Sequence, residues 1–425
     1  MRMRTLAWSV LAFAAAGAAT SCSGILTSGP AKAHDVVAVG AGADFTCALV
    51  RSGRVLCWGR NDVGQLGRGS SDTLAHPEPH LVVLPQRATR ITVGYDHACA
   101  IDEDGRAWCW GDDRMFESGA TSAAERCGTG ADEAACRTRP VRVAAPSPFA
   151  LIGAGFRRSC GTMTDGITAC WGSAGEGNEP SDSASIERCG PPNSASWCRR
   201  APTRVPLQLE QPPPRPPIYA ALTTLSVGAF ATCGTTIGNV LLCWGRGTRP
   251  SWNPNIGPSG LGVASTSIGY VHACVLREDL VVLCWSGTRE LGVLGTDPSL
   301  SAFRYTSYRT TRAVEDGHHF SAVTAGGLHS CALEATSHAA YCWGANQYGQ
   351  LGRGSVDTLA ARDVRGSNPL PAVVAGAQPY NAISAGLDHT CAVSASGDVW
   401  CWGRTGRGAT GRMGAPNQAV PMMMP

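Results

Sequence analysis

Hydrophobic positions along the chain fall into short segments punctuated by glycine, proline and polar residues, with one long apolar run near the N-terminus. The segment Asp44-Phe45-Thr46-Cys47-Ala48-Leu49 is followed by Val55-Leu56-Cys57-Trp58-Gly59, and the same arrangement returns along the chain. Cysteines pair off as Cys47 with Cys57, Cys99 with Cys109, Cys160 with Cys170, Cys233 with Cys243, Cys274 with Cys284, Cys331 with Cys342 and Cys391 with Cys401, each second cysteine followed by tryptophan. Placing Cys47 opposite Cys57 sets residues 48:56, 49:55 and 50:54 face to face and leaves Arg51-Ser52-Gly53 as a three-residue loop. A hairpin of that length needs a left-handed residue at the last loop position, where glycine stands. Glu103-Asp104-Gly105, Thr164-Asp165-Gly166 and Ala395-Ser396-Gly397 repeat the pattern; Ile237-Gly238-Asn239 shifts the glycine, Glu278-Asp279-Leu280 lacks it, and the sixth pair is one residue longer. Opposed residues of an antiparallel pair lie about 4.5–5.5 Å apart at Cα, within disulfide reach, so each hairpin can be stapled across its strands.

Composition sharpens this all-β reading. The chain has 425 residues with 52 Gly, 27 Pro, 19 Cys and 12 Trp, and is 44% hydrophobic. It has neither the three-residue glycine period of collagen nor the low hydrophobicity of a disordered chain. No C-x-x-C pair occurs, which removes the usual zinc and thioredoxin-like spacings, and so many cysteines favour an oxidising compartment. Two further pairs, Cys127 with Cys136 and Cys189 with Cys198, sit in similar inserts at 112–139 and 173–200, leaving Cys22 as the unpaired remainder. Net charge is +3, and about +1 without Arg2 and Arg4, so no global field draws the chain to nucleic acid or acidic membranes.

Cys22 follows Arg2, Arg4 and an apolar run from Leu6 to Ala19, the layout of a secretory leader. Ala19-Thr20-Ser21-Cys22 resembles a bacterial lipobox, in which the cysteine is lipidated; cleavage after Ala33 or Ala18 is the alternative. The expected organisation is a signal peptide at 1–21, a tether at 22–35 and a repeat domain at 36–425. That domain carries the two inserts and a proline-rich loop at 206–218. The apolar run itself is too short to span a bilayer comfortably, and no other stretch reaches about 18 apolar residues.

Trp58-Gly59-Arg60-Asn61-Asp62-Val63-Gly64-Gln65-Leu66-Gly67 and Trp343-Gly344-Ala345-Asn346-Gln347-Tyr348-Gly349-Gln350-Leu351-Gly352 resemble the hallmark stretch of the regulator of chromosome condensation repeat. The resemblance implies a seven-bladed β-propeller with four-stranded blades. Internal copies have a Pro-x-x-Val strand, as in Pro140-Val141-Arg142-Val143, before the next Val/Ile-x-x-Gly strand. The first copy begins directly at Val36, and the chain ends on an orphan strand, Pro416 to Val420. The ring is therefore expected to close with the C-terminal strand completing the first blade.

Candidate chemistry is sparse. His97, His272, His329 and His389 occupy equivalent positions two residues before a hairpin cysteine, where other copies have Phe45, Arg158 and Ala231. Their dispersal over separate blades, with the resemblance, implies buried hydrogen-bonding residues and no shared metal or acid/base centre. The recurrent tryptophans are read as packing between blades, and Asp72 and Asp357 as turn residues. No nucleophile elbow, zinc-protease motif, phosphate loop or dinucleotide fingerprint is present. No cofactor, metal or catalytic residue is expected. The reading is an exported, lipid-anchored, monomeric, non-enzymatic module of the bacterial cell envelope, at the outer surface or in the periplasm, or else secreted. It would bind a protein or surface polymer, with the inserts and the proline-rich loop as a shared binding face. The alternatives are a secreted inhibitor of the β-lactamase inhibitory type, a surface hydrolase, and a guanine nucleotide exchange factor.

Overall fold

A computed structural model describes residues 34–424 apart from 129–132, 175–185, 190–195, 206, 210–217, 220, 246–261, 287–291, 297–311, 315–316, 358–367, 377 and 414–416. The leader, Cys22 and most of the expected tether lie outside the described residues. All described elements are strands, and seven antiparallel sheets form the blades of a β-propeller. In blade one the strands run outward in chain order as Val36–Ala41, Phe45–Val50, Val55–Asn61 and Asp72–Leu81. The inner strands of blades two to seven are Ala88–Val93, Phe149–Ala154, Ser226–Val227, Val263–Ile268, Phe320–Ala325 and Tyr380–Ala385.

The second and third strands of every blade form the cysteine hairpin. Cys47 stands opposite Cys57 in blade one and Cys99 opposite Cys109 in blade two. Around the ring follow Cys160 opposite Cys170, Cys233 opposite Cys243, Cys274 opposite Cys284, Cys331 opposite Cys342 and Cys391 opposite Cys401. Each of these seven pairs is a buried disulfide, including Cys331–Cys342, whose longer loop leaves the register of the cysteines unchanged. Val50 N donates to Arg54 O, so 50:54 is a hydrogen-bonded pair and 47:57, three steps along, is the closer non-bonded type. The hairpin disulfides accordingly span only 4.0–4.1 Å between Cα atoms. The left-handed loop position is filled by Gly53, Gly105, Gly166 and Gly397, and in the irregular copies by Asn239, Leu280 and His338.

Around the axis the inner strands approach so closely that no side chain fits at their ends. A Cβ on Gly42, Gly94, Gly155, Gly228, Gly269, Gly326 or Gly386 would lie 2.3–2.8 Å from the carbonyl oxygen of the corresponding glycine in the next blade. Backbone bonds run along this belt: Tyr95 N to Gly155 O, Tyr270 N to Gly326 O, Gly327 N to Gly386 O and Leu387 N to Gly42 O, all 2.9–3.1 Å. Farther out, each hydrophobic cluster joins two neighbouring blades.

Three expectations are corrected. The C-terminal strand Gln418–Met423 pairs with Val399–Gly403 as the outer strand of blade seven; blade one takes its own outer strand from Asp72–Leu81. Wherever an outer strand is described it ends its own blade and does not begin the next, so the ring closes without a shared blade. Val36, Ala48, Leu56 and Trp58 pack there against Val393, Val399 and Met424. Blades are not uniformly four-stranded: they have three to five described strands, because Glu125–Cys127 and Glu187–Cys189 add a fifth strand to blades two and three. Finally, inserts and proline-rich loop do not share a face. The inserts join third to fourth strands, whereas the proline-rich stretch, mostly outside the described residues, joins blade three to blade four at the opposite end of the strands.

Leu280 has φ 67°, a left-handed conformation that a branched side chain adopts only under strain. Leu280→Gly should stabilise the protein by about 1 kcal/mol, measured as a higher midpoint in denaturant unfolding, because the side chain is exposed and little packing is lost.

Candidate binding site

The four recurrent histidines build the blade interfaces. Nε2 of His97, His272, His329 and His389 lies 2.6–2.9 Å from the hydroxyl of Ser159, Ser330, Thr390 and Thr46, each in the following blade. Those hydroxyls donate in turn to loop carbonyls of Glu117, Val293, Gln350 and Ala409. The hydroxyl proton is thereby committed, and the imidazole must donate from Nε2. The same carbonyls accept the indole N–H of Trp171, Trp343, Trp402 and Trp58. Burial lowers the four histidines to about 3–4, keeping them neutral. Where Phe45 and Ala231 replace histidine, the facing residues are Ala98 and Ala273; in the remaining joint Arg158 replaces histidine and the facing residue is Thr232, so every histidine meets a hydroxyl but not every hydroxyl meets a histidine.

Blade two varies the signature loop. Gln65 Oε1 and Gln350 Oε1 accept backbone N–H groups of Val63 and Tyr348; the equivalent Glu117 Oε2 accepts Met115 N at 2.8 Å. Burial, reinforced by Asp112 and Asp113, holds the Glu117 carboxyl well above the usual carboxylate range, so it is protonated and stands in for an amide. Asp113 replaces Asn61 and pairs with buried Arg137 at 2.7 Å. These carboxylates serve the loop itself.

The inserts are packed structure in their described parts. The Cys127–Cys136 disulfide packs on Val63 of blade one, and Cys189–Cys198 on Met115 of blade two. Glu187 lies within ligand distance of Cys189 and Cys198, but those sulfurs are bonded to each other. Asp72 bonds His76 Nε2 at 2.7 Å and Asp357 bonds Asn368 at 2.8 Å, in separate blades.

What the repeat does not dictate is the turn after each axial glycine. It reads Ala43-Asp44, Tyr95-Asp96, Phe156-Arg157, Ala229-Phe230, Tyr270-Val271, Gly327-Leu328 and Leu387-Asp388 around the ring. Blades two to five supply a half-exposed aromatic crescent: Tyr95 meets Phe156 at 4.7 Å between centroids, Phe156 meets Tyr270 at 5.6 Å, and Tyr270 meets Phe230 at 5.6 Å. Neither tyrosine hydroxyl makes a hydrogen bond among the described residues. Blades seven, one and two supply a charged crescent. Arg404 lies 3.3 Å from Asp388 and 3.9 Å from Asp44, and Arg60 bonds Asp62 and reaches Asp96 at 3.4 Å. Burial pushes Asp96 up to about 6 against the pull of Arg60. Behind the crescents is an axial cavity of about 210 Å³, whose lining contains no Asp, Glu, His, Lys or Arg. Sequence reasoning passed over this site; its signal was the non-repeating pair of residues after a repeating glycine.

Models of the regulator of chromosome condensation (RCC1) repeat match residues 36–65, 88–116, 320–350 and 381–409, and also 52–101 and 337–393. Regulator of chromosome condensation from Drosophila melanogaster is 38% identical over 77 residues, 18% of this chain and 14% of that protein. The ultraviolet-B receptor of Arabidopsis thaliana is 28% identical over 146 residues, 34% of this chain and 31% of that protein. The matches thus span under a third of either relative. Yeast RCC1 (Prp20), solved bound to Kap60, superposes with a TM-score of 0.65 at 19% identity, covering 92% of this chain and 85% of that one.

Opposite pH dependences follow from these buried groups. The unfolded chain protonates histidine near 6.5 whereas the folded chain does so only at about 3–4, so stability should fall as pH falls through that window. Glu117 keeps its proton in the folded state while the unfolded chain releases it near 4.5, so its contribution is lost as pH rises above 4.5. Thermal unfolding against pH should therefore show Glu117→Gln gaining on the wild type with rising pH; a constant difference would contradict the protonated carboxyl.

Proposed function

This chain belongs to the propellers built from regulator of chromosome condensation repeats, and from that premise we propose that it is an exported, lipid-anchored, non-enzymatic scaffold that holds a protein partner at its channel mouth. The observation that carries the proposal is the broken symmetry of the mouth. Seven equivalent turns obey one backbone constraint, yet blades two to five place aromatic rings there, blades seven, one and two place Asp facing Arg, and blade six has only Gly327-Leu328. Half-exposed aromatics with neighbouring arginine are the side chains that dominate protein interfaces. The yeast propeller of the same fold was solved bound to Kap60, which supports a partner-binding use of the scaffold.

Nine disulfides favour an oxidising compartment, and Cys22 after an apolar leader supports a lipid anchor. A surface hydrolase would need an acid/base pair facing a cleft. Glu117 and Asp113 are tied to loop N–H groups and to Arg137, Asp96 at the mouth faces Arg60, and the cavity lining carries no carboxylate or histidine.

Affinity capture from the native envelope with the wild type and with Tyr95→Ala/Phe156→Ala/Tyr270→Ala tests the mouth. A partner lost at least tenfold on substitution, with the unfolding transition retained, is the expected result; undiminished capture would remove the mouth from consideration. The mass of the mature N-terminus tests the anchor, since an unmodified terminus at His34 excludes it.

A further inference from the structure

We propose that the rim of blade one around residues 51–54 is a second membrane contact that seats on anionic phospholipid, beside the point where the chain leaves toward Cys22. The proposal rests on the reading of the chain as exported and lipid-anchored.

The seven loops between second and third strands lie at the end of the blades opposite the aromatic and charged mouth. Six are neutral or acidic, including Thr164-Asp165-Gly166, Glu278-Asp279-Leu280 and Ala395-Ser396-Gly397-Asp398. In blade two, Arg106 is paired with Asp104 at 2.8 Å. The loop of blade one alone carries two arginines and no acid, Arg51-Ser52-Gly53-Arg54. A third, Arg87, stands against it, since a Cβ on Gly53 would come within 2.6 Å of the Arg87 Cβ. All three are exposed, and none has a side-chain ion pair or hydrogen bond among the described residues.

The N-terminal segment enters at the same place. Arg51 N donates to Asp35 O at 2.9 Å, and His34 pairs with Asp398 at 2.9 Å. The acids facing the patch are thus Asp35 and Glu103, both exposed, the latter donating its backbone N–H to Arg87 O at 3.1 Å, and Asp398, already paired. Apolar side chains complete the rim: Val37, Leu81 and Val83 are 41%, 40% and 64% exposed, and Val82 N bonds Val55 O to hold the outer strand against the loop. From Cys22 to His34 is a dozen residues, a reach of roughly 40 Å when extended, so a lipid on Cys22 confines this rim near the bilayer. A basic patch with flanking apolar residues beside an acyl anchor adds an electrostatic contact with anionic headgroups to the anchor's apolar one and so fixes which face of the propeller meets the bilayer. Acidic loops on the neighbouring blades tip the propeller onto blade one and leave the channel mouth free for its partner.

The test uses the exported chain carrying Cys22→Ser, so that no acyl chain contributes, and vesicles of phosphatidylcholine alone or with three-tenths phosphatidylglycerol. Sedimentation should show binding to the anionic vesicles only, suppressed at 0.5 M salt. The variant Arg51→Gln/Arg54→Gln/Arg87→Gln should bind about fivefold less per arginine, on the order of a hundredfold in all, with an unchanged unfolding transition. No association with anionic vesicles, or equal association by the variant, would overturn the proposal. Because the acyl anchor is absent and is judged separately by the mass of the natural N-terminus, the two readings fail independently.

Discussion

The close approach of seven glycines around the axis is the constraint on which the rest of the structure depends. The carbonyl of each glycine sits where the glycine of the preceding blade would carry its Cβ, so the inner strands converge to backbone contact around the axis. Once the inner strands are fixed at that radius, the blades splay outward and leave wedges. Those wedges are filled by the tryptophan of one blade lying against the signature loop of the blade before it. Burying both indole and loop carbonyl is affordable only because each satisfies the other.

Histidine and hydroxyl refine the same joint. A buried imidazole is costly unless it stays neutral and donates, and it can do both only where the next blade offers Ser or Thr with its own proton directed at the loop. That condition explains why each of the four histidines faces a hydroxyl and why Phe45 and Ala231 stand opposite alanine; Arg158 opposite Thr232 shows that the hydroxyl permits histidine without demanding it. Glu117 obeys the same rule from the acid side: protonated, it replaces the glutamine oxygen that Gln65 and Gln350 present.

The hairpins and their cysteine register were legible in the sequence because both partners of each contact lie ten or eleven residues apart, and loop length alone fixes who faces whom. Cys160 with Cys170 and Cys331 with Cys342 show the same opposition across loops of different length. The phase of the repeat was not legible. A Pro-x-x-Val strand between two hairpins can end one blade or begin the next, and only its pairing with Trp108 and Cys109 decides that it ends one. The fifth strands within the inserts were not legible because their partners, Ala134–Arg142 and Ser196–Arg204, are the blades' own outer strands extended by a few residues. The channel mouth was the least legible feature. Self-comparison rewards positions that repeat, and Tyr95, Phe156 and Asp44 matter through their failure to repeat.

If axial glycine contact sets the ring, the decisive measurement is thermal unfolding of Gly386→Ala beside Gly406→Ala. A Cβ at 386 would fall 2.4 Å from Gly42 O across the joint between blades seven and one, whereas at 406 it meets nothing within 4 Å. The account predicts a loss of about 1–3 kcal/mol or more for the first, the usual cost of forcing atoms into a filled site, and almost none for the second. Equal midpoints for the two variants would contradict it.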